Sequence, residues 1–145
     1  MENFNPQQVE ATVEARHKVF LILWFALFVS VMLLLVLVIV AGSHGTPNPT
    51  LSYALLGIGL MTVFVSFLLK QQLVQKAINN NDIAALQSAQ VVSLALCESA
   101  ALFGVLDRFV TASQTSWFLF AIAAIGILLH FPKKDYIRAV SYKQF

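Results

Sequence analysis

Charge is what this chain has least of. Asp, Glu, Lys and Arg make up 11% of its 145 residues, against 59% hydrophobic residues and a mean hydropathy of +0.78. A water-soluble domain of this size needs more polar surface, so the composition places the chain among membrane proteins. Cysteine is nearly absent: Cys97 stands alone in an apolar run, which excludes a disulfide framework. Glycine, proline and charge are all missing from residues 19–41, so nothing there interrupts a membrane helix. The sequence also lacks a nucleophile beside a base, a Gly-rich phosphate loop and a basic surface interleaved with aromatics. These gaps argue against an enzyme and against a nucleic-acid partner. No internal duplication is evident.

What is present reads as one membrane domain, residues 1–145, with helices over about 6–41, 51–78, 83–107 and 116–131. Asn5 and Pro6 form a helix-start signal, and Val9, Val13 and Phe20 recur on one side of a lead-in helix expected to be solvated or interfacial. Three acidic residues before residue 19, together with the length of the apolar run, argue against a secretory signal peptide. A turn cluster over 42–49 ends the first span, and His44 within it is expected to be solvated. The second span carries Gly57 and Gly59, where another helix can come close, and the hydroxyls of Thr62 and Ser66. Asn79, Asn80 and Asn81 make the next turn, and Asp82 caps the helix that follows. Asp107 and Arg108 read as a charged pair at the membrane edge. The fourth span, from Trp117 to Phe131, is short enough to need local thinning or snorkelling flanks. Residues 132–145 read as a basic segment on the membrane surface, or as an unfolded basic tail.

Orientation follows from the cations. Arg16, Lys18, Lys70, Lys76, Lys133, Lys134, Arg138 and Lys143 share one side of a four-span topology, leaving Arg108 opposite. The positive-inside rule then makes both termini cytoplasmic in an inner-membrane, multi-pass protein.

Glu98 is the residue that needs explaining, because it falls near the middle of the third span. A carboxylate at that depth costs at least about 2.5–3.5 kcal/mol on insertion scales, and by default marks a functional site. Ser93, Cys97, Ala100 and Gly104 recur three or four apart and form a slim stripe for helix packing. Glu98 lies beside that stripe, flanked by Leu94, Ala95, Ala101 and Leu102. Removal from water favours a neutral carboxyl, which makes such a group a natural proton carrier. Cys97 reads as a small packing residue, since adjacent helical side chains point about 100° apart.

The run from Ser93 to Gly104, SLALCESAALFG, resembles the carboxylate helix of the rotor-ring proteolipids, the c subunits of F- and V-type ATPases. A Ser-Leu-Ala lead-in, the acidic residue, small and apolar residues and an aromatic-Gly pair follow in the same order. The resemblance extends more weakly back to Tyr53 through a hairpin with a polar turn. It implies a non-enzymatic subunit of an oligomeric membrane assembly, with Glu98 binding a proton and Ser66, Thr62 and Ser99 as the candidate oxygen ligands around it. The chain departs from that pattern in the bulky residues that follow Gly59, in its Asn-rich turn and in its two additional spans. The alternative is a structural or accessory subunit packing against a larger membrane complex, with Glu98 a buried hydrogen-bonding residue. The expected partners are membrane lipids and either further copies of the chain or a larger complex. No cofactor or metal is expected. A haem or pigment held by His17 and His130, at the same side of the membrane, is a third and weaker reading.

Overall fold

The computed structural model describes residues 6–42 and 45–141, and every regular element within them is an α-helix. The expected Asn5 cap, His44, Tyr142 and Phe145 fall outside the described residues. The helices are α1 (Pro6–Ala41), α2 (Pro49–Asn79), α3 (Ile83–Thr111), α4 (Ser116–Leu129) and α5 (Lys134–Ser141). Three of them, α1 to α3, are long and apolar enough to cross a membrane. A fourth span exists if α4 and α5, bent by 43° across a short break, count as one. The chain is therefore read as a multi-pass membrane protein.

Local chemistry sets the boundaries. Gly42 ends α1 in the left-handed region, with φ of +74°. Asn48, in an extended conformation, accepts a hydrogen bond from the Leu51 N–H at 3.1 Å, and Pro49 takes the first helical position of α2. The Asn run is the α2–α3 turn: Asn81 adopts φ of +53°, which asparagine tolerates better than most residues, and Asp82 accepts from the Ala85 N–H at 3.1 Å. Ala112 caps the end of α3 with φ of +51°.

The third helix is the hub. It packs against α1, α2, α4 and α5, whereas the Cα atoms of α1 and α2 nowhere come within 8 Å of each other among the described residues. Small residues explain the closeness of α4. Gly59 of α2 and Gly104 of α3 lie under Leu119, with Phe120 also over Gly104. Gly126 of α4 sits against Cys97 and Val63. Gly57, by contrast, faces open space: the helix approach expected at both α2 glycines occurs at Gly59, because α4 crosses on that face only.

Two apolar cores result. One lies between the spans and includes Val31, Leu94, Cys97, Ala101, Phe120 and Ile127. The other joins the start of α1 to the α2–α3 turn region and α5, through Val9, Val13, Val74, Leu86, Ile137 and Val140. The lead-in segment is thus a helix with one side packed against protein. The described part of the tail includes a helix, with Ile137 and Val140 fully buried against α1 and its neighbours. Arg138 adds an exposed ion pair to Glu10 at 2.8 Å.

The α1–α2 loop is pinned to the far end of α3, where a Cβ on Gly45 would run into the carbonyls of Phe109 and Val110. Backbone cannot yield as a side-chain tip can. Gly45→Ala is therefore expected to lower stability by about 1–3 kcal/mol, read as a reduced melting temperature in detergent, while Gly57→Ala leaves it unchanged or raises it.

Candidate functional site

Glu98 lies about 22 Å along α3 from Ile83, at a rise of about 1.5 Å per residue, close to the middle of a 29-residue helix. Its side chain points at α1. The Ser30 hydroxyl donates to Glu98 Oε1 at 2.5 Å, and both residues are half-buried. On the protein side of Glu98, Leu94 and Ala101 are fully buried; on the other side Ala95 and Leu102 are exposed. The carboxyl therefore sits on the border between the helix packing and the outward surface. Among the described residues it has no cationic partner.

The other candidate oxygen ligands are elsewhere. Ser99 donates to the Ala95 carbonyl at 2.9 Å and Thr62 to the Ile58 carbonyl at 2.8 Å, each within its own helix. Ser66 donates to the Val63 carbonyl at 2.6 Å and lies 3.4 Å from Cys97 Sγ. Hairpin pairing does bring Ser66 level with this part of α3, but it meets Cys97. The helical rotation of about 100° per residue then carries Glu98 round to the α1 side. The stripe of Ser93, Cys97, Ala100 and Gly104 is wholly buried. Ser93 returns its hydroxyl to the Ala89 carbonyl at 2.6 Å.

A second polar cluster surrounds His130, at the end of α4. With 14 residues, α4 spans only about 21 Å, short of the roughly 30 Å of a hydrocarbon core. The His130 and Phe131 N–H groups satisfy the Gly126, Ile127 and Leu128 carbonyls locally, and the carbonyls at this end take further donors from other helices. Three helices send them. Trp24 of α1 donates its indole N–H to the Ile127 carbonyl at 2.7 Å, Gln90 of α3 donates to the His130 carbonyl at 2.7 Å, and Lys70 of α2 reaches the same oxygen at 3.3 Å. The His130 ring is fully buried, with Nδ1 2.7 Å from the Gly126 carbonyl, Nε2 3.5 Å from Ser66 and the Phe67 ring centroid 4.3 Å away. His130 thus spends its polar atoms on helix packing rather than presenting a free nitrogen beside His17. Among the described residues no group of three or more His, Cys, Asp or Glu side chains could hold a metal ion.

Asp107 corrects the expected charged pair. It is fully buried, and its carboxylate accepts from the Thr111 and Thr115 hydroxyls, both at 2.7 Å. Ser52 of α2 joins through Thr115, and Ser113 contacts Thr115 at 2.8 Å. Arg108 turns away, donating to the Ser113 carbonyl at 3.4 Å and resting 5.8 Å from the Trp117 ring centroid. Spacing hinted at this: Asp107, Thr111 and Thr115 follow at intervals of four, although Thr115 already lies beyond the end of α3. For the donors at the end of α4, the signal was a polar Gln90 in an otherwise apolar run.

No protein-family model, curated protein or solved structure matches this chain.

The clamp on α4 makes a measurable claim. Gln90→Leu removes the closer donor to the His130 carbonyl and is expected to cost about 1–2 kcal/mol in thermal stability. Gln87→Leu, on the exposed side of the same helix, stays within about 0.5 kcal/mol of the parent.

Proposed function

We propose that the chain is a small, non-enzymatic, inner-membrane protein in which Glu98 binds and releases a proton. The observation that carries this is the placement of its carboxyl at the edge of the α1–α3 seam, held by the Ser30 hydroxyl and with no cationic partner among the described residues. In hydrocarbon, a carboxyl with those neighbours costs least when it carries a proton. Exposed Ala95 and Leu102 leave one side of it open to whatever passes along the membrane-facing surface. A charged residue of a partner subunit, or a file of water, arriving there would stabilise the ionised form and let the proton leave. The likeness to rotor-ring proteolipids supports the same role for Glu98. On this reading four spans, the short α4 being the fourth, put both termini on the cytoplasmic side, where the basic residues collect.

A second reading, an accessory subunit of a larger complex with Glu98 as a packing residue, is favoured by one observation. The small-residue stripe that neighbouring subunits would use in a ring is filled by α4 of the same chain.

A hydrophobic carbodiimide separates the two, because it adds to protonated carboxyls that face the membrane. Glu98 is expected to be labelled in membranes, less so as pH rises, and Glu98→Gln to be unlabelled with its melting temperature retained. Ser30→Ala, which removes the hydroxyl held against Glu98 Oε1, is expected to increase the extent of labelling. Labelling absent at every pH would leave the packing role.

A further inference from the structure

Beyond Glu98, an open groove of about 1020 Å³ lies between the second half of α2 and the α4–α5 break. Its walls are of two kinds. Phe67, Leu129 and Phe131 form an apolar part, while Lys70, Lys76 and Lys133 supply three ammonium groups, and among the described residues no acidic side chain lines it. Leu129 and Phe131 of the apolar part are themselves exposed on the outward surface of the spans, as are Leu68 and Leu128 next to them in sequence. Lys70 is half-buried at the inner wall. One of its three N–H groups reaches the His130 carbonyl at 3.3 Å, which leaves two for a ligand. Lys76 and Lys133 are exposed at the mouth.

We infer that this groove holds an anionic phospholipid, its phosphate among the three lysines and an acyl chain along Phe67, Leu129 and Phe131. Charge complementarity selects the headgroup: three cations with no carboxylate among them attract a phosphodiester and have nothing to offer a zwitterion's ammonium. Continuity with the membrane-facing surface selects a lipid over a soluble phosphate compound, because a soluble ligand would leave the apolar wall uncovered. The groove also abuts the α4 C-terminus, so a bound phosphate draws on the same Lys70 that supports His130 and would brace α4 against α2.

The test uses the full-length protein in nanodiscs and in mild detergent. Phosphatidylglycerol is expected to stay bound in native mass spectrometry and to raise the melting temperature by several degrees, whereas phosphatidylcholine and inorganic phosphate do neither. The Lys76→Gln/Lys133→Gln double variant alters exposed residues, so it folds, and it is expected to lose at least fivefold of the preference for phosphatidylglycerol. Arg16→Gln/Lys18→Gln, the same loss of charge on α1, retains it. Equal retention of both lipids, equal stabilisation by inorganic phosphate, or an equal loss in the α1 control would each overturn the assignment.

Discussion

Side chains from three helices meet at the end of α4, and that convergence ties the rest of the bundle together. Trp24, Lys70 and Gln90 converge on the final turn and cap of the short α4 from three different helices. Each donor fixes the rotation of the helix that carries it. Fixing Gln90 orients α3, which directs Cys97 towards α2 and α4 and Glu98 towards α1. The carboxyl at the centre of the membrane domain is thus aimed partly by hydrogen bonds made two turns away.

The two carboxyls within α3 are treated differently. Asp107 is enclosed by hydroxyls from α2, α3 and the loop before α4, so it knits one end of the bundle together. Glu98 has one hydroxyl and an open flank. A fully satisfied buried acid belongs to the framework, whereas a partly satisfied one at a seam is free to change state. The contrast within a single helix is what sets Glu98 apart.

Much of the fold is legible in the sequence because membrane helices are coded by long apolar runs and their ends by turn chemistry. The Pro-rich cluster, the Asn run and Asp82 fall where the helices break. Glu98 is legible by depth, since an acid in an apolar span is conspicuous. Its partner is not: Ser30 belongs to a helix 68 residues earlier, and a uniformly apolar α1 offers no periodicity to say which face meets α3. The same reason hides the role of Trp24. The docking of α5 is obscure because alternating basic and apolar residues suit a membrane surface and a protein surface equally well.

The pairing of Ile137 and Val140 with Val9 and Val13 has a consequence for biosynthesis. As the ribosome releases the chain, the leading end of α1 waits with an uncovered apolar side until more than 120 further residues have been made and inserted, as the 128-residue separation of Glu10 and Arg138 records. Closure of that core therefore waits for α5, after α2, α3 and α4 have been made.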